Sequence, residues 1–221
     1  MILRMRPDNF LDMNLPIIIS DIAIRTELRP GDIGYVTYLH GDLYKREYGY
    51  GIAFEAYVAQ GFYEFYSQYD PGKDRVWVAE HGDRIIGFLL LMHRKEERSR
   101  ERPNLKAPAD VGEDLDGKVA QLRYFILAPP YRGIGLGKKL AALFLAFARE
   151  QGYRRCYLWT TDELFAAAHI YRKMGFVLAE EVESTSFGKP LREQRYELVL
   201  MHNDPHADRT GGLAGPNSGA D

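Results

Sequence analysis

The chain has 221 residues, 46% of them hydrophobic and 27% charged, and its 29 Lys and Arg against 31 Asp and Glu give a formal charge of −2. That length suits one large domain or two small ones. The charge balance excludes a protein whose main task is gripping nucleic acid or an acidic membrane, because both need a concentrated positive field. A single cysteine, Cys156, excludes an intrachain disulfide and a cysteine-built zinc cage, and no metal is expected.

Residues 1–20 read as an N-terminal extension. The apolar stretch 15–19 is broken by Pro16 and halted by Ser20 and Asp21, far short of the ~20 residues of a membrane span. It also lacks the h-region and cleavage site of a signal peptide, so the expectation is a cytoplasmic protein with no membrane contact. Residues 203–221 hold four glycines, two prolines and one large aliphatic residue, Leu213, and read as a disordered tail. Residues 21–202 remain as one folded domain.

Within that domain, residues 22–28 alternate as a first strand closed by Pro30 and Gly31. A helix over about 32–48 follows, weakened by Gly34 and Gly41. A second is marked by Phe54, Tyr57, Val58, Phe62, Phe65, Tyr66 and Tyr69 at three- and four-residue steps. Nine of the fifteen tyrosines lie between Tyr35 and Tyr69. They suit core packing with hydroxyls at the surface, and an aromatic ligand pocket is the alternative.

Residues 76–80 and 84–91 form a hairpin around His81-Gly82-Asp83. Residues 94–118 break all periodicity and mix charges of both signs, which reads as a flexible charged loop. A strand over 119–127 leads into a glycine-rich turn at 132–137. A helix over 138–151 follows, with Leu140, Phe144, Phe147 and Ala148 on one face and Gly152 as its stop. After a strand reaching Trp159, Thr160 and Glu163 make a capping box for another helix ending at Gly175. Strands near 176–183 and 193–201 close the domain. The order β-α-α-β-β-β-α-β-α-β-β predicts a mixed α/β sheet covered by helices.

The turn Arg132-Gly133-Ile134-Gly135-Leu136-Gly137-Lys138-Lys139 sits between a strand end and a helix start, where free N–H groups converge on the positive end of the helix dipole. Such a turn suits phosphate oxygens. It is not a P-loop, since Arg132 stands where the first glycine belongs and Lys139 where a magnesium-binding hydroxyl belongs. The dinucleotide fingerprint fails as well, its third glycine falling on Lys138 in one register and on Leu140 in the other.

What fits is Arg132-x-x-Gly135-x-Gly137, preceded by Leu127-Ala128-Pro129-Pro130-Tyr131 and followed some forty residues on by Tyr171-Arg172-Lys173-Met174-Gly175-Phe176. In these motifs the chain resembles the GCN5-related N-acetyltransferase (GNAT) superfamily over about residues 22–200. The resemblance implies the acyl-CoA N-acyltransferase fold, an α/β fold with a mixed, mostly antiparallel sheet of six to seven strands and about four helices. It also implies acetyl-CoA as co-substrate and an amine of a small molecule or peptide as acceptor. Residues 28–35, the stretch His40-Gly41-Asp42-Leu43-Tyr44 with Glu47-Tyr48-Gly49, and Ser186-Phe187-Gly188 are similar to the acetyltransferase half of bacterial regulators fused to a winged-helix domain. The chain lacks room for that DNA-binding half and would be a stand-alone member. A homodimer is common in the family.

By that resemblance, the main chain of Gly133, Ile134, Gly135, Leu136, Gly137 and Lys138 holds the coenzyme A pyrophosphate, with Arg132 adding position or charge. Phe125, Ile126 and Leu127 pair with the pantetheine arm in a splay beside the strand. One of their N–H groups faces the acetyl oxygen, worth about 2.7–4 kcal/mol in comparable oxyanion sites. Tyr171 gives its proton to the departing thiolate. Many relatives carry a carboxylate base on the strand over 119–127, but here Gln121 and Arg123 cannot take a proton at neutral pH. The candidates for a substitute base or substrate contact are His40, Glu47, Glu80 and Glu163. Leu164 stands where many relatives carry an Asn on the pantetheine arm. A pocket from the two early helices suits an aromatic or amphipathic amine, and a non-catalytic acyl-CoA-binding module is the alternative reading.

Overall fold

The computed structural model describes residues 17–94 and 118–200. The expectations for most of the N-terminal extension, for the charged loop and for the tail lie outside the described residues. After a 3-10 turn at Ile19–Asp21 the chain forms β1 (Ile22–Arg25), α1 (Asp32–Tyr48), α2 (Ile52–Ser67), β2 (Arg75–His81), β3 (Arg84–Arg94) and β4 (Val119–Leu127). A second 3-10 turn at Pro129–Tyr131 leads to α3 (Leu136–Glu150), β5 (Arg155–Thr161), α4 (Phe165–Lys173), β6 (Val177–Ser184) and β7 (Leu191–Val199). The element order is the one predicted. The strands make one sheet in the order β1-β2-β3-β4-β5-β7-β6, antiparallel at every neighbour except the parallel pair β4 and β5.

Alternation along the strands divides the core between the two faces of the sheet. On one face, Phe88 and Leu90 of β3 meet Val36 and Leu43 of α1 and Val58, Phe62 and Phe65 of α2. On the other, Leu89 and Leu91 meet Leu140, Phe144 and Phe147 of α3 and Tyr171 of α4. The first helix runs unbroken through both glycines that weakened its prediction. Gly41 faces α2, with the Glu55 side chain lying over it.

The capping box read at Thr160 and Glu163 does not form. Thr160 lies inside β5, paired with Gln194 of β7. The helix begins at Phe165 behind Leu164, with no side-chain cap bond. Cross-strand pairing prolongs the strand to Thr161, and Glu163 Oε1 lies 2.6 Å from the Lys189 ammonium that donates to it. Tertiary pairing has overridden a local signal worth only about 1 kcal/mol.

Candidate active site

β4 and β5 pair at only three positions: Val119 with Arg155, Ala120 with Cys156, and Gln121 with Tyr157. From Leu122 onward β4 keeps only β3 as neighbour while β5 stays with β7, so the sheet opens into a wedge between them. Within it β4 carries a bulge. Arg123 pairs with Leu90 and Ile126 with Phe88, leaving Tyr124 and Phe125 opposite the single residue Leu89. Tyr124 has φ +55°, an uncommon conformation for a non-glycine residue, and its ring is anchored by stacking on Phe62 at 4.2 Å. Such bulges re-aim the main chain beside functional sites.

Past the bulge, the Ala128 N–H donates to Ile86 O at 2.8 Å. By the alternation of an antiparallel ladder, Ile126 also turns its main chain toward β3, whereas Phe125 and Leu127 turn theirs into the wedge. Of the three residues expected to line a pantetheine arm, Phe125 and Leu127 turn their main chain away from β3. Ile126 instead buries its side chain in the α1–α2 core.

The glycine turn closes one end of the wedge. Gly133 and Gly135 have φ of +80° and +92°, and the helix starts behind Gly135 with no side-chain cap. Among the described residues, no backbone or side-chain acceptor meets the N–H groups of Gly133, Ile134, Gly135, Leu136, Gly137 and Lys138; the first bond of the turn is Lys139 N–H to Gly135 O at 3.0 Å. Six unpaired donors around a helix N-terminus form an anion cradle. Arg132 is set beside it by two contacts. Its Nε donates to Leu127 O at 3.1 Å, and its Nη1 lies 2.9 Å from the carboxylate of Glu47 on α1.

At the other end lies a cavity of about 90 Å³, lined by His40, Tyr44, Phe54, Tyr57, Arg123, Phe125, Trp159, Leu164 and Tyr171 among others. Tyr171 is buried, and burial pushes its phenol above the usual tyrosine range, so the hydroxyl keeps its proton at neutral pH. His40 is 2% exposed. Its Nδ1–H donates to Val36 O at 2.8 Å, which leaves Nε2 as the ring's acceptor. Burial outweighs that bond and lowers the imidazole to about 4.

The other three base candidates stand outside this cavity. Glu47 is the partner of Arg132. Glu80 lies 2.8 Å from Arg25 Nε, in a cluster where Arg25 also holds Asp32 at 2.7 Å. Glu163 belongs to Lys189, which also donates to Tyr48 O at 2.6 Å. Only His40 reaches the cavity, where the sequence left four candidates equal. The cavity-lining residues that the sequence did not point to are Trp159 and, in any binding role, Arg123. A signal existed for the last, because Gln121-x-Arg123 puts polar side chains on one face of an otherwise apolar central strand.

A model of the acetyltransferase (GNAT) family matches residues 41–176. The chain belongs to this family. An uncharacterized N-acetyltransferase of Escherichia coli is 36% identical over 114 residues, 52% of this chain and 56% of that protein. N-acetyltransferase family 8 member 2 of Rattus norvegicus is 31% identical over 100 residues, 45% of this chain and 37% of that protein. The matches therefore span about half or less of these relatives. Among solved structures, a GNAT-family acetyltransferase from Desulfovibrio desulfuricans superposes with a TM-score of 0.57 at 15% identity, covering 80% of this chain and 98% of that one. Arabidopsis thaliana NAA60, solved in complex with acetyl-CoA, gives 0.56 at 18%, covering 81% and 99%. These likenesses establish the GNAT fold. No helix among the described residues is long and apolar enough to cross a membrane.

Proposed function

We propose that this GNAT member transfers the acetyl group of acetyl-CoA to an amine of a small molecule or peptide. The observation that carries the reading is the wedge between β4 and β5, which runs from six unpaired amides at the glycine turn to a cavity holding a protonated tyrosine and a neutral histidine. The amides of Gly133 to Lys138 hold the pyrophosphate. The main-chain groups of Phe125 and Leu127 take the extended arm as a missing strand would. Acetyl-CoA supplies an activated thioester, from which an amine displaces the thiolate. Tyr171 provides the proton that the thiolate needs and regains one from the acylated nitrogen, so that the amine's proton ends on the thiol. His40, lowered to about 4, is too weak a base to store the amine's proton, so it orients a neutral amine through Nε2.

Support for this reading comes from titrating the protein with acetyl-CoA and with free CoA by calorimetry and thermal shift, beside an Arg132→Ala, Gly135→Glu double variant. At a hundredfold excess over Kd the wild type should gain about 2.7 kcal/mol, roughly 5–10 °C in Tm, and the variant should lose it. No binding at millimolar ligand refutes the proposal. Thiol release on adding amines then tests turnover. A non-catalytic acyl-CoA-binding module is favoured by one observation, that no carboxylate lines the cavity among the described residues; turnover with any amine eliminates it.

We carry the resemblance to the acetyltransferase half of winged-helix fusions on the same footing. Its support is that Gly51 N–H, just past the segment ending at Gly49, donates to Phe187 O at 3.0 Å, and that Phe187 stacks on Tyr50 at 5.4 Å. A cytoplasmic location and a homodimer are further parts of the proposal, checked by fractionation and by light scattering.

A further inference from the structure

Among the described residues, one charge in the cavity has no counter-charge. Arg123 sits on β4 directly before the bulge, and because it pairs with Leu90 its side chain lies on the α1–α2 face. It is 9% exposed. The guanidinium is tucked under α2 at Gly61, where an added Cβ would come within 2.7 Å of Nη2. Its contacts are the Tyr57 hydroxyl at 3.3 Å, the Tyr57 ring at 5.8 Å and the Tyr124 ring at 4.9 Å. Among the described residues no carboxylate lies within ion-pair distance. Glu64, the nearby acid on α2, is exposed and bonded by Gln60.

Two other largely buried arginines give the contrast. Arg25 is held by Asp32 and Glu80, and Arg195 lies 2.7 Å from Glu197. An unpaired charge taken out of water costs several kcal/mol, so a buried guanidinium left with a phenol and two ring faces is suited to an anion that arrives with the substrate. Its planar fork matches a carboxylate in two parallel hydrogen bonds.

We infer that Arg123 binds a carboxylate of the acceptor, so that the acceptor is a small amine bearing a carboxylate within a few bonds of its nitrogen, as in an amino acid. The proposal rests on the acetyl-transfer reading above. The amine must approach within about 3–3.5 Å of the thioester carbon, beside Phe125, two residues from Arg123 on the same strand. A space of about 90 Å³ admits both groups only if they belong to one compact molecule. The same cation repels a plain diamine or polyamine, and Tyr57, Phe54 and Trp159 make the rest of the lining aromatic.

The test is acetyl-CoA turnover, followed as free thiol, with phenylalanine, phenylalaninamide and phenethylamine, and with leucine, leucinamide and isoamylamine. The wild type should show kcat/KM about 100-fold higher for each carboxylate than for its two analogues. In Arg123→Gln that ratio should collapse to within a few-fold, and Arg123→Lys, which keeps the charge without the fork, should retain part of it. CoA affinity and Tm measured on each variant report folding, and a merely structural role for Arg123 would lower all six substrates alike.

Equal or better turnover of the analogues by wild type overturns the acceptor assignment and leaves acetyl transfer standing. If no amine reacts, acetyl transfer itself fails, and the carboxylate site is then judged by titrating N-acetylphenylalanine and its amide into the protein with CoA. Selective binding of the acid, lost in Arg123→Gln, upholds the site. Equal binding, or none, overturns it.

Discussion

His40 makes an acid-sensitive element of the α1–α2 face, and its size follows from the structure. The ring is buried between Tyr44, stacked at 5.9 Å, and Tyr124, edge-on at 5.7 Å, so a proton on it is poorly solvated, and its pKa falls from 6.5 to about 4. In the unfolded chain the ring titrates normally. Between these values the unfolded state therefore holds the extra proton, and native stability is fully present above about pH 6.5 and is lost as pH falls toward 4. Going from pH 7 to pH 5, this one group removes about 2 kcal/mol, which is roughly 1 M in the urea midpoint at a slope near 2 kcal/mol/M. The assay is urea unfolding at pH 7 and pH 5, for the wild type and for His40→Asn, whose amide still offers a donor to Val36 O. The variant should lose about 2 kcal/mol less than the wild type over that interval. Parallel losses in both proteins would refute the argument.

Removing the phenolic proton in Tyr171→Phe should lower kcat by about 10²-fold, the low end for general acids because a thiolate leaves readily, with acetyl-CoA affinity unchanged by calorimetry. Gly135→Ala meets only an ordinary contact with Ile19 Cδ1 at 3.9 Å but keeps a φ near +92°, so thermal unfolding should show a loss of about 1–2 kcal/mol, with weaker CoA binding as the turn relaxes. At Gly61 the obstacle is contact, since a Cβ collides with the Tyr124 hydroxyl and crowds Arg123; Gly61→Ala should cost about 1–3 kcal/mol and raise the acceptor KM more than that for acetyl-CoA. Glu47→Gln frees Arg132 from its ion pair and should change CoA affinity by a few-fold in a salt-dependent way, read by titration at two ionic strengths.

Much of the fold was legible because its signals are periodic and local. The three- and four-residue steps from Phe54 to Phe65, the His81-Gly82-Asp83 turn and the 119–127 strand appear in the structure within a few residues of where they were read. The glycine turn was legible because spacing alone separates it from other phosphate loops. What failed was settled by long-range pairing. Thr160 reads as a cap until β7 claims it for β5. Glu80 and Glu163 read as bases until Arg25 and Lys189, distant in sequence, take their charges. The Tyr124 bulge has no turn residue to mark it, and Arg123 read as an absent base because its surroundings come from α2, some sixty residues earlier.

The three-residue contact between β4 and β5 divides the hydrogen bonding of the sheet into two panels, one of β1 to β4 and one of β5 to β7, joined by that short seam and by the apolar core they share under α3 and α4. A ligand pairing along Phe125 and Leu127 stitches the open part of that seam. Amide exchange at those two residues should then slow on CoA binding. On this view the donor substrate is also a missing structural member of the sheet it reacts in.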